Sequence, residues 1–234
     1  MIDFADAFGT ALRMIARLDR ELIEIVSLSL RVSVAAVLLA AVLGLPLGAA
    51  LALARFPGRG AAIAILNALM GLPPVVLGLV LYLVLSRAGP LGSFDLLFSP
   101  AAMMLAQMLL VIPIVAALAR QVIEDLWAEY TDLLRSLRAT LPQAVRTLLW
   151  DARFSLVTGL LAGFGRATSE VGAILIVGGN IAHVTRTMTT AITLETSKGN
   201  FALALALGFC LLALSLLVSL TAQGVQHLAQ RRYA

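Results

Sequence analysis

RQVIEDLWAEYTDLLRSLRATLPQAVRTLLWDAR, residues 120–153, is the one long polar segment in a chain of 234 residues that is otherwise apolar. Acidic and basic side chains balance along it. Leu134, Leu137, Leu141, Val145 and Leu148 step by 3, 4, 4 and 3, the spacing of one helix face. Thr140 is a residue type that accepts an orphan N–H, and Pro142 is tolerated in a first helical turn. The segment therefore reads as two short helices meeting near Thr140, outside any bilayer, with an apolar seam. A seam in contact with water requires a partner, and that partner decides the function.

Outward from this segment the composition is that of a membrane. Hydrophobic residues make up 61% of the chain and charged residues 13%, with a mean hydropathy of +0.99. Such a chain cannot cover itself with a soluble surface, so the fold class is all-α and polytopic. Cys210 is the single cysteine and lies in an apolar run, which excludes a disulfide framework and a cysteine-rich metal site. The formal charge of +4 is dispersed without a basic run, so nucleic acid is not implied as a partner. Asp3 and Asp6 stand where a signal peptide would be basic, and no cleavable leader is expected.

Five apolar stretches are expected to cross the membrane: 22–54, 61–86, 101–119, 154–177 and 201–222. The first exceeds the ~30 Å hydrocarbon core and must tilt, protrude or bend, with Gly44-Leu45-Pro46-Leu47-Gly48 as the place to bend. Pro46, Pro73-Pro74 and Pro113 fall inside three different spans. Each frees a backbone carbonyl, as transport pathways do, although any one of them equally suits a packing kink. Residues 1–21 repeat Phe4, Phe8, Leu12 and Ile15 at helical spacing, which suggests an amphipathic segment on the membrane surface or a polar tail. The expected domains are thus 1–21, a transmembrane domain 22–226 containing the 120–153 loop, and a tail 227–234. An odd number of spans puts the termini on opposite sides. The arginine bias places the loop and the C-terminus in the cytoplasm and the N-terminus outside.

Arg166 and Glu170 are the residues whose chemistry stands out, because ionised groups inside a span cost ~2.5–3.5 kcal/mol each. At i, i+4 they can pair on one helix face. The arginine then either meets an anion in a water-filled path, flanked by Thr168 and Ser169, or forms a structural ion pair; the residues leave both open. The run Thr185-Arg186-Thr187-Met188-Thr189-Thr190 offers hydroxyls to an oxyanion, but reads more readily as a solvated loop with helix caps. His183 and His227 fall on opposite sides in this topology, and no metal site, catalytic triad or other catalytic residue is apparent. Lys198, the only lysine, is followed by Gly199, so no phosphate-cradling loop exists and no cofactor is expected; any ATP-driven motor is a separate polypeptide.

Several motifs resemble those of type I ABC importer permeases, with the MetI-like fold that the resemblance implies. That family's cytoplasmic loop carries glutamate-alanine-alanine, a glycine four residues later, and an isoleucine-x-leucine-proline ending. The spacing lays onto Asp132-Leu133-Leu134, Arg138, Leu148, Trp150 and Asp151, where Arg138 replaces the glycine and Asp151 the proline. More specific are Gly163-Phe164-Gly165-Arg166-Ala167-Thr168-Ser169-Glu170-Val171-Gly172-Ala173, Val177-Gly178-Gly179-Asn180, and Thr189-Thr190-Ala191-Ile192 through Leu194-Glu195-Thr196-Ser197-Lys198-Gly199-Asn200. With Phe56-Pro57-Gly58-Arg59 and Met70-Gly71-Leu72-Pro73-Pro74, they are similar to oxyanion permeases, tungstate permeases first and molybdate and sulfate permeases beyond them.

The resemblance implies a multi-pass protein of the bacterial inner membrane that works as a homodimer. It implies two ATPase subunits docked on Asp132, Leu133, Leu134, Leu137, Arg138 and Thr140, and an extracytoplasmic tungstate-binding protein. Molybdate, of like shape and charge, is the alternative substrate. An ion-gradient-driven anion carrier is the alternative from another class, but Arg166 and Glu170 are few groups for coupling ion and substrate together. A membrane-embedded enzyme lacks a nucleophile–base pair.

Overall fold

In lipid a backbone satisfies its own hydrogen bonds most simply as helix, and apolar runs without breakers continue as helix until a breaker or water intervenes. The computed structural model describes the backbone over residues 4–233 and side chains over residues 6–226. The expected tail at 227–234, including His227, thus lies outside the residues whose side chains are described. The helices are α1 (Phe4–Ala16), α2 (Arg20–Leu53), α3 (Arg59–Met70), α4 (Pro74–Leu85), α5 (Pro100–Ser136), α6 (Leu141–Asp151), α7 (Arg153–Thr168), α8 (Gly172–Gly178), α9 (Met188–Ser197) and α10 (Phe201–Tyr233). A 3-10 turn occupies Gly92–Phe94, and the described residues contain no strand.

Among the described residues three helices, α2, α5 and α10, are long and apolar enough to cross a membrane. Two further pairs, α3 with α4 and α7 with α8, qualify when each bent pair counts as one span, which makes five. The break at Gly71–Pro73 agrees with the expected interruption at Pro73-Pro74: Pro73 is extended and Pro74 opens α4. Pro46 and Pro113 behave differently. Both lie inside continuous helices, α2 and α5.

The chain packs as two units. The first gathers the chain up to Ala36 with Pro73–Gln107 and Arg166–Leu217. Its core includes Ala11 of α1, Leu22 and Ile25 of α2, Met188 and Ala191 of α9, and Leu203 and Leu207 of α10. The N-terminal helix is therefore tied down by packing: Ala11 is fully buried, and the Phe8 ring meets Phe209 edge-on at 5.3 Å. Ser29 Oγ accepts the Met188 N–H at 2.8 Å, satisfying the first turn of α9. In the same unit α4 lies against α8, and a Cβ on Gly78 would fall 2.9 Å from the Ala173 Cα.

The second unit gathers Val37–Leu72, Met108–Gly165 and the chain from Val218 onward. Gly44 and Gly48, four apart on α2, present a small-residue face to α5. A Cβ on Gly48 would lie 2.3 Å from the Ala116 carbonyl oxygen and 2.8 Å from the Ala119 Cβ. Gly44 and Gly48 thus allow close backbone approach, the usual role of small residues between membrane helices.

Candidate functional site

The 120–153 segment differs from the sequence expectation in two respects, its first helix and its seam. Its first part is no separate helix but the end of α5, which runs unbroken for 37 residues. Residues 120–136 are mostly good helix formers with no breaker among them, so the helix continues past its apolar part. It stops where Arg138 enters the left-handed region at φ 47°. There the Ala139 N–H reaches the Leu134 carbonyl at 3.0 Å and the Arg138 N–H reaches that of Arg135 at 3.0 Å, a Schellman ending. Thr140 then begins α6, as its sequence implies. Its N–H and its hydroxyl both donate to Gln143 Oε1 at 2.8 Å, half of the reciprocal arrangement of a capping box.

The left-handed residue divides the apolar seam, because helical phase is not carried across it. Leu134, 8% exposed, and Leu148 face inward with Ala144, against Ala49 and Leu53 of α2 and Ala119 and Ile123 of α5. Val145 packs at the edge of this cluster. Leu137, at 69%, and Leu141 point outward, as does Leu133. Asp132, Arg138 and Thr140 are exposed beside them. Trp150 is also exposed, with the Arg153 guanidinium 4.9 Å above its ring and 4.7 Å from that of Phe154. A groove of about 870 Å3 runs between α6 and α2, lined by Leu141, Val145, Leu149 and Trp150 opposite Pro46 and Ala50. The result is a braced platform: an apolar core inside, and leucines and a tryptophan outside.

The second candidate lies in the first unit, where α7 stops at Thr168 and α8 starts at Gly172. Such an interruption leaves carbonyls and amides unpaired, and each named one has found a partner. Gln107 Nε2 donates to the Ala167 carbonyl at 2.8 Å. The Thr189 hydroxyl donates to the Glu170 carbonyl at 2.8 Å, and Glu170 Oε1 accepts the Ala173 N–H at 3.3 Å. Gly172 passes so near Val75 that a Cβ would lie 2.7 Å from its Cγ2.

Arg166 and Glu170 therefore do not share one continuous helix face. Arg166 belongs to α7 and its side chain is 42% exposed, while Glu170 sits in the break at 5%. Their closest approach is 3.9 Å, the outer edge of an ion pair. The Ser169 hydroxyl donates to the Arg166 carbonyl at 3.0 Å, so its proton is engaged, and Thr168 is buried. Arg166 is the one side chain of the four that extends a cation outward.

The threonine run is buried, contrary to the solvated loop expected of it. Thr185, Thr187, Thr189 and Thr190 are all inside. Thr185 donates to the Gly178 carbonyl at 2.5 Å and accepts the Ile181 N–H at 2.9 Å; Thr190 Oγ1 accepts the Thr187 N–H at 3.0 Å at the start of α9. Threonine hydroxyls here replace backbone partners lost where helices end, and the capping part of the expectation holds. Glu195, also buried, accepts Lys198 Nζ and Asn200 Nδ2, each at 2.9 Å. The Lys198 ammonium holds its carboxyl below the usual carboxylate range against the opposing effect of burial, with Asn200 and the charge of Arg186 contributing.

Sequence reasoning did not find the roles of Gln107 and Thr189. Gln107 was visible as a polar residue in an apolar run, but nothing in the sequence said which carbonyl it served.

Residues 44–232 match the family model described as binding-protein-dependent transport system inner membrane component. The chain is 44% identical over 200 residues to a probable anion ABC transporter permease protein of Haloferax volcanii, covering 83% of this chain and 86% of that one. It is 35% identical to the tungstate uptake system permease protein TupB of Peptoclostridium acidaminophilum, over 95% of this chain and 98% of the relative. The protein of the same name from Campylobacter jejuni is 41% identical over 64% of this chain and 63% of its own length.

Proposed function

This chain belongs to the inner membrane components of binding-protein-dependent transport systems, the permeases of ABC importers, and we propose that the anion it passes is tungstate. The observation that carries the substrate is the end-to-end match to a permease named for tungstate uptake, covering nearly the whole of both chains. In this reading the chain itself hydrolyses nothing. Two ATPase subunits supply the energy and an extracytoplasmic binding protein selects the ion. Residues 22–226 form the transmembrane domain, with the N-terminus outside and the C-terminus in the cytoplasm.

The roles of the two sites follow from their surfaces. Leu133, Leu137 and Leu141 form a ridge on which an ATPase subunit closes, with Asp132, Arg138 and Thr140 as its polar margin. Leu134 braces that ridge from within. An inward-facing leucine and outward-facing neighbours on the same stretch support this division. Arg166 faces the path and Glu170 offsets its charge, so that an oxyanion is drawn in without being trapped. Ser169 and Thr168 shape the break behind them. Five spans per chain are few for enclosing a polar route, and a two-fold pair of chains supplies the other half.

The test is transport by the assembled complex in vesicles, with ATP inside and binding protein outside. Tungstate should accumulate only with ATP, and collapsing ion gradients with ionophores should leave uptake intact. Uptake that follows an ion gradient and ignores ATP would establish the carrier instead. Competition by molybdate and sulfate in the same vesicles reads the substrate order.

A further inference from the structure

The sequence Phe56-Pro57-Gly58-Arg59 has a use that the docking ridge does not exhaust. The last carbonyls of a helix lack intrahelical partners and carry the negative end of its dipole. At the end of α2 this need is met from the next turn. Gly58, at φ +90°, reverses the chain, and Arg59 Nε donates to the Leu51 carbonyl at 2.8 Å while Nη2 donates to that of Ala52 at 3.4 Å. The same Nη2 contacts Glu124 of α5 as an ion pair. The second Glu124 oxygen accepts Arg120 Nη1 at 2.5 Å. One carboxylate thus engages two guanidiniums, and Arg59, the first residue of α3, bonds both α2 and α5.

We propose that the Arg59–Glu124 pair is the polar link that keeps α3 moving with α5 when the loop ridge is displaced, making both positioning residues for coupled transport. The inference rests on the docking role given to the ridge above. Glu124 lies upstream of Leu133, the part of that ridge on the same unbroken helix, whose end at Ser136 is about 18 Å further along. A push on Leu133, or on Leu137 whose N–H bonds the Leu133 carbonyl at 3.1 Å, therefore reaches Glu124 along a rigid rod. The apolar packing of Leu66 in α3 against Leu51, Ala116 and Ala117 holds these helices together. Aliphatic contacts are non-directional and permit sliding, whereas a guanidinium fixed by two carbonyls holds a carboxylate at one register. Half-exposed ion pairs add little to stability, so the residues are suited to timing rather than to folding.

The experiment measures ATP hydrolysed per tungstate imported by the complete transporter in vesicles. Glu124→Gln and Arg59→Gln should each raise that ratio about tenfold, the scale of ordinary coupling between sites. The double variant should be no worse than either single one. Arg120→Gln, which touches Glu124 only within α5, should match the wild type. An unchanged ratio in Glu124→Gln, or effects that multiply in the double variant, overturns the proposal. If the wild-type complex imports nothing with ATP, the transport reading above fails, and hydrogen exchange of the lipid-embedded chain decides the link independently. Amides 59–63 exchanging about tenfold faster in Glu124→Gln support it; unchanged exchange overturns it.

Discussion

Arg138 holds the backbone in a conformation that L-residues adopt at a cost of about 1 kcal/mol or more. The related permeases that the sequence resembles have glycine at the position onto which it lays, and the Schellman ending of α5 explains the preference in physical terms. Arg138→Gly should leave the fold unchanged and stabilise it by up to about 1 kcal/mol, the relief of strain set against glycine's greater freedom when unfolded. Denaturant unfolding in detergent measures this, and a loss of stability would show that the Arg138 side chain does more than tolerate its place. Glu195 gives a second prediction at this scale. α9 is not among the membrane-crossing candidates, and the Glu195 carboxyl is held below its ordinary range, chiefly by Lys198. A depressed folded value makes the contribution fully present above the ordinary carboxylate value of about 4.3. It is lost as pH falls through the lower, folded value. Melting temperature should therefore fall on acidification below about pH 4 in the wild type and fall less steeply in Glu195→Gln.

Elements were legible where one residue dominated and illegible where phase mattered. Pro73 and Pro74 announced their break, because two prolines leave a helix no way through, and Thr140 announced the start of α6. The seam was misread for a definable reason: the steps from Leu134 to Leu148 were counted across Arg138, whose left-handed backbone nothing in an arginine signals. Likewise the close contact of Gly44 and Gly48 with α5 was not legible, since only the neighbouring helix reveals that the missing side chains admit Val115 at Gly44 and Ala116 and Ala119 at Gly48. The separation of the seam predicts two different phenotypes. Leu134→Asp would bury an unpaired charge among Ala144, Leu148 and Ile123, costing about 3–5 kcal/mol, and should reduce the amount of assembled protein. Leu137→Asp, on the water side, should assemble normally and lose at least tenfold in ATP-driven uptake. Equal loss of assembly in both variants would mean that the ridge is structural throughout. Undiminished uptake by Leu137→Asp would remove the docking role.

For the molecule as a whole, the question is whether one chain or two make the path. Composition and five apolar stretches were enough to read a polytopic permease, and the motifs around Arg166 were enough to place it among oxyanion transporters. The break at 169–171 was not readable, because its partners Gln107 and Thr189 are distant in sequence. If two copies face one path, their Arg166 side chains act on the same ion. Purified complexes can then be sorted by two affinity tags into wild type, Arg166→Ala in both copies, and one of each. The doubly substituted complex should import at least tenfold more slowly, while the isolated binding protein holds tungstate as before. The mixed complex carries the prediction. Were each chain a separate path, it would import at half the wild-type rate, whereas a shared path makes every ion pass a site with one cation missing. Its rate should therefore fall clearly below half, and a value at half would return each chain to a path of its own.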